Sequence, residues 1–130
     1  MEKPAIRSYK DLIVYKESYE LMLIVHTEII SKIPNHERYD LVSQLSRSSK
    51  AVPRLIAEGY AKKHQKAGFQ KYLDDTMAET NETIVSLEQA KDIYSILPER
   101  ISELLKRYDI VARQTYNLRL AWQTFKQPKP

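Results

Sequence analysis

The sequence predicts an all-α protein, an antiparallel up-and-down four-helix bundle, on three observations. Glycine occurs only twice in 130 residues, too few for the many tight turns of a sheet protein. Apolar residues recur at steps of three and four over four long stretches, the spacing that lines one face of a helix. The breaks between the stretches are short and carry Pro34, Gly68 and Pro98, so successive helices must reverse and lie side by side. At this length a single domain spanning residues 1–130 is expected, because two would each be too small to bury a core.

The first helix is expected over about 9–33. Ser8 with Asp11 three residues on resembles a capping box, and Tyr15, Ser18, Met22, Val25 and Ile29 make the inner stripe, widened by Tyr19, Leu21 and Ile33. Pro34 and Asn35 end it. The second helix, about 36–61, places Leu41, Leu45, Ser48, Val52, Leu55, Ile56 and Gly59 on one side. Pro53 falls inside it, where the lost N–H predicts a kink rather than a break because the periodicity continues. Gly59 is expected to let two helices approach closely.

Helix three, about 68–97, follows Phe69, Leu73, Thr76, Thr80, Thr83, Leu87, Ala90, Tyr94 and Leu97 in three-four alternation, with Tyr72, Met77, Ile84 and Val85 widening the face. Pro98 suits the first turn of helix four, about 98–125. That helix carries an unbroken heptad seam: Ile101, Leu104, Tyr108, Val111, Thr115, Leu118, Trp122 and Phe125. A short extended C-terminal tail follows. In a single bundle the seam is core. In a ring of subunits its far end, Trp122 and Phe125, is the expected oligomer interface.

Composition excludes much chemistry. With no cysteine, disulfides, thiolate metal sites and cysteine nucleophiles are ruled out. The residues three before His26, His36 and His64 are Leu23, Ile33 and Ala61, so the Glu-x-x-His pairs of a di-iron bundle do not occur. Gly59 and Gly68 cannot build a phosphate-cradling loop. The nearest arginine-to-histidine pair, Arg54 to His64, is too long for the ribonuclease arrangement of some small bundles. We therefore expect no enzyme, no cofactor, no metal and no small-molecule substrate. No apolar window approaches the ~20 residues of a membrane span and MEKPAIRSYKD offers no apolar signal, so no membrane partner and a cytoplasmic location are expected.

The net charge of +4 is unevenly distributed. Residues 43–71 hold seven basic side chains and one acidic, residues 104–130 six and one, whereas residues 74–103 hold eight acidic and two basic. In helix two, Arg47, Lys50 and Arg54 lie three and four apart, away from the apolar stripe, and Lys62, Lys63 and Lys66 extend the field. Lys106, Arg113, Arg119 and Lys126 add to it. Such a patch fits sequence-indifferent, salt-dependent contact with phosphates. The competing reading is that these cations pair with the acidic third helix, where Asp74, Asp75, Glu79 and Glu82 spread around a solvated face.

The stretch SQLSRSSKAVPRLIAEGYAKKHQK, with DLIVYKESYEL and IPNHERYDLVSQL before it, resembles the small bacterial four-helix-bundle proteins encoded by intervening sequences in large-subunit ribosomal RNA genes. The similarity covers about residues 9–97. Related bundles are accessory proteins of diversity-generating retroelements. The resemblance implies a homo-oligomer, a homopentamer in its relatives, that contacts RNA or DNA and a reverse transcriptase through basic surfaces. It implies Arg47, Lys50, Arg54, Lys62 and Lys63 as the nucleic-acid-binding residues. The family pattern has a second basic residue at Ser46 and an asparagine at Leu55, so helix two here is less charged and more apolar. The function expected is a non-enzymatic scaffold that binds nucleic acid non-specifically, as an accessory to a reverse transcriptase or another nucleic-acid enzyme. The alternative is a protein-protein adaptor without nucleic-acid binding.

Overall fold

A computed structural model describes residues 5–65 and 67–125, with side chains described as far as Trp122. Four helices dominate: α1 (Ile13–Ile24), α2 (Leu41–Ala61), α3 (Gly68–Tyr94) and α4 (Pro98–Phe125). No strand occurs among the described residues. The helices stand in a square in which α1 packs beside α2 and α4, and α3 beside α2 and α4. Cross-helix pairs establish the antiparallel course. Arg100 and Arg107 of α4 reach Glu28 and Glu17, so one numbering rises as the other falls. In the same way Gly59 faces Tyr72 while Ser48 bonds Thr83. The all-α four-helix bundle read from periodicity is the fold.

The first helix is built in pieces. Ser8 and Asp11 form the expected capping box on a 3-10 turn, Tyr9–Asp11, and α1 itself starts at Ile13. Its buried residues are Val14, Ser18 and Leu21, not Tyr15 and Met22, which are half-buried; Tyr19 is exposed. The inner face is thus turned from the expected stripe. A π turn, Val25–Ile29, and a 3-10 turn, Ile30–Lys32, follow. In a π turn each residue advances less around the axis than in an α-helix. Val25 and Ile29, four apart, therefore stay on one buried face, and Ile33, just past the 3-10 turn, is buried as well.

The connection to α2 holds a 3-10 turn, Asn35–Glu37, so α2 begins at Leu41 rather than at 36. It then runs through Pro53 unbroken to Ala61. Gly59 does what its position predicted: a Cβ there would lie 2.5 Å from that of Tyr72 and 3.0 Å from a ring carbon of Phe69. The inner face of α3 matches its threonine seam. Thr76, Thr80 and Thr83 are fully buried, and each hydroxyl donates to the carbonyl four residues back, at 2.8–2.9 Å, which removes most of the cost of burying it.

Helix α3 stops at Tyr94, three residues before the expected end. Ser95 takes a left-handed conformation (φ 54°) and its N–H bonds Lys91 O, while Ile96 N–H reaches back to Ala90 O. This is a left-handed C-terminal reversal with Ile96 buried just beyond it. It exposes Leu97, which the alternation had placed inside. Along α4 the seam is core: Ile101, Leu104, Tyr108, Val111 and Thr115 are fully buried.

Candidate nucleic-acid interface

The five residues expected to contact nucleic acid all sit on the outer side and C-terminal end of α2, but they are not equivalent. Arg47 is committed within the fold. One guanidinium nitrogen lies 2.5 Å from Glu82 Oε1 and the other 3.7 Å from Glu79 Oε1, both on α3. Burial holds the Glu79 carboxyl above its usual range, followed by repulsion from Glu82, while Arg47 opposes both. Arg54 is loosely paired, 3.8 Å from Glu58 one turn along its own exposed face. Lys50 is exposed with no carboxylate within 4 Å among the described residues. Lys62, at the α2 C-cap, is likewise exposed. The Lys63 ammonium stands 3.8 Å above the Tyr60 ring, a cation–π contact that leaves it available to an anion. Lys66 lies outside the described residues.

The cations of helix four divide in the same way. Arg119 spans to Asp74 at 2.6 Å, Arg113 pairs with Asp109, and Lys106 is exposed without a carboxylate partner among the described residues. Lys126 lies outside the described residues. Much of the acidic run is therefore matched by arginines of neighbouring helices: Asp74 by Arg119, Glu79 and Glu82 by Arg47. The two readings of the charge pattern divide largely by residue type: Arg47, Arg113 and Arg119 pair closely with carboxylates, Arg54 only loosely, and the lysines stand without one among the described residues. Four cations remain for a polyanion on the α2 face: Lys50, Arg54, Lys62 and Lys63.

Beside Lys50, the π turn of the first helix places His26, whose Nε2 lies 3.2 Å from Ser49 Oγ. Burial, then the Lys50 charge, lowers the His26 pKa below its ordinary value, so the ring is neutral at pH 7 and adds no charge to the face. His36 lies elsewhere. It meets Tyr94 OH at 3.0 Å, and that hydroxyl donates to Glu37 Oε2 at 2.5 Å, tying the α1–α2 connection to the end of α3. The sequence carries no sign of this network, whose members are 57 and 58 residues apart. Among the described residues no group of three His, Asp or Glu could hold a metal, and no helix is long and apolar enough to cross a membrane.

Of the two residues expected at an oligomer interface, Trp122 is half-buried against its own bundle. Its ring meets Phe69 edge-on at 4.9 Å and Tyr60 at 6.4 Å. The Phe125 side chain lies outside the described residues.

Fold and surface together define a helical-bundle protein whose second helix presents uncompensated lysines beside a neutral histidine. Residues 10–117 match the model of the 23S rRNA-intervening sequence protein family. The chain belongs to that family. No curated protein matches it.

Proposed function

We propose that the protein is a non-enzymatic, homo-oligomeric scaffold that binds nucleic acid without sequence preference through the outer face of α2, as an accessory to a reverse transcriptase or another nucleic-acid enzyme. The observation that carries the binding is the group Lys50, Arg54, Lys62 and Lys63, exposed or half-exposed and without close carboxylates beyond the loose Arg54–Glu58 contact. Four ammonium and guanidinium groups along one helix and its C-terminus can neutralise several phosphates, and phosphate contacts carry no sequence information, so affinity follows charge rather than sequence. The family name, which ties these proteins to ribosomal RNA genes, is compatible with an RNA-associated role. Self-association is supported by apolar side chains left on the outside of α3 and α4, among them Val85, Ile110 and Tyr116, each about half exposed.

Fluorescence anisotropy with labelled RNA and DNA at low salt tests the binding. Micromolar or tighter affinity that falls steeply with salt is expected, together with a loss when Lys50, Lys62 and Lys63 are changed to Glu. No detectable binding, or binding indifferent to that triple change, refutes it. A protein partner captured with salt-independent affinity would instead favour the adaptor. Light scattering on the purified chain tests the oligomer, and a monomer at tens of micromolar would exclude it.

A further inference from the structure

The seam between the first helix and α2 carries a titratable side chain that is uncharged at pH 7 and stands directly beside a free cation. His26 is the second residue of the π turn Val25–Ile29, and single π turns inside helices recur at functional sites. Its Nε2 lies 3.2 Å from Ser49 Oγ, so the ring crosses from the first helix to α2. Ser49 is fully buried, whereas the next residue, Lys50, is exposed, and the His26 ring is itself only half-buried.

The charges around the ring come from known places. From α2 the Lys50 ammonium acts on it, while Arg47 and Arg54 of the same helix act instead on Glu79 of α3. On the α4 side the turn presents Glu28, which Arg100 grips at 2.8 and 3.0 Å. Among the described residues His26 thus faces an ammonium and no carboxylate.

The site can nevertheless hold the ring charged. Ser49 Oγ donates to the Ser46 carbonyl at 3.3 Å, which leaves the oxygen free to accept from a protonated Nε2. Burial and then Lys50 disfavour the imidazolium, and the Ser46 carbonyl favours it. A phosphate at Lys50 changes that balance, because it attracts both positive groups where they otherwise repel each other. Proton and phosphate then each strengthen the binding of the other.

We propose that His26 is a proton-dependent fifth cation of the nucleic-acid face, charged together with Lys50 when a phosphate lies at the seam of the first helix and α2, so that binding tightens in mild acid. The proposal rests on the nucleic-acid reading above and adds its regulation by pH.

The test is an anisotropy titration with a short labelled single-stranded RNA over several salt concentrations, at about pH 7.5 and about pH 5.5, either side of the ordinary histidine value. His64 stands one residue past Lys63, so its own protonation is removed first with His64→Gln. In that chain the salt slope is expected to steepen by about 0.7 at the lower pH, the contribution of one further cation on a single strand. Adding His26→Gln is expected to remove the steepening. Proton NMR of the His26 ring supplies a readout that leaves position 26 unchanged: its titration midpoint should move up when RNA is bound. Equal steepening in the two chains, none in either, or a midpoint that RNA does not move overturns the proton-linked cation while the nucleic-acid reading stands. Failure to bind RNA at either pH overturns both.

Discussion

If Arg47 is silenced by α3, freeing it should strengthen nucleic-acid binding, and deleting it should do almost nothing. Each cation that meets a phosphate contributes about 0.7 to the salt slope for a single strand. Four contacts, from Lys50, Arg54, Lys62 and Lys63, give a slope near −2.8, which is roughly a 50-fold loss of affinity between 50 and 200 mM salt. Lys50→Ala should reduce the slope to about −2.1. Arg47→Ala should leave it near −2.8, because Glu79 and Glu82 already hold that guanidinium at 3.7 and 2.5 Å. The double change Glu79→Gln and Glu82→Gln releases Arg47 and removes two negative charges, so the slope should steepen to about −3.5. Stability should change by no more than about 1 kcal/mol in Arg47→Ala, since the pair is half exposed and screened. Anisotropy titrations at five salt concentrations measure all four slopes. An Arg47→Ala slope as shallow as that of Lys50→Ala would refute the division between paired arginine and free lysine.

Gly59→Ala places a Cβ 2.5 Å from the Cβ of Tyr72. Overpacking there costs about 1–3 kcal/mol against roughly 1 recovered in helix propensity, so Tm should fall by several degrees in a thermal melt; a rise would mean that α2 and α3 can separate freely. Trp122→Ser removes the ring packed on Phe69 and Tyr60 and should cost about 2–3 kcal/mol in urea denaturation. Dissociation of an oligomer with monomer stability intact would move Trp122 to a subunit contact. Acid should act in two stages. His26, held low by burial and then by Lys50, is less basic folded than unfolded, so the stability it carries is complete above pH 6.5 and declines below it. Glu28, held low by Arg100, and Glu37, held low by Tyr94, retain their contribution above about pH 4.5 and lose it below. A Tm-against-pH curve should show both declines, with His26→Gln removing the first and Tyr94→Phe shallowing the second.

The parts of the fold legible in the sequence are those whose partners lie along a straight helix. In α4 the seam is flanked by α1 and α3 on either side and never shifts phase, so Ile101, Leu104, Tyr108, Val111 and Thr115 are buried as spaced. The first helix offers two nearly equal stripes, one through Tyr15 and Met22 and one through Val14 and Leu21. The larger side chains favoured the first. The second wins, with a π turn from Val25 that rephases the chain and buries Ile29. A stripe count at a fixed 100° per residue carries no signal for that rephasing. Nor does it foresee a left-handed Ser95, since the sequence places no glycine where the chain reverses.

The charge blocks were visible and their meaning was not, because the partners on neighbouring helices lie 35 to 90 residues apart. One signal was present in them. In the two basic blocks every arginine (Arg47, Arg54, Arg107, Arg113 and Arg119) lies within 4 Å of a carboxylate. Among the described residues of those blocks, no lysine does. A guanidinium is planar, weakly hydrated and able to grip a carboxylate with two nitrogens, whereas an ammonium keeps its water and its mobility. Arg47, Arg107 and Arg119 therefore knit helix to helix, as Arg107 does by touching both Glu17 and Glu20, while Arg54 and Arg113 pair within their own helices, and the lysines with Arg54 carry the charge that an incoming strand meets. On that basis Lys50→Arg is not a neutral exchange. A guanidinium at position 50 gains the two-nitrogen grip on any carboxylate within its reach, and a shallower salt slope in that variant, despite its unchanged net charge, is the result that residue type rather than block charge predicts.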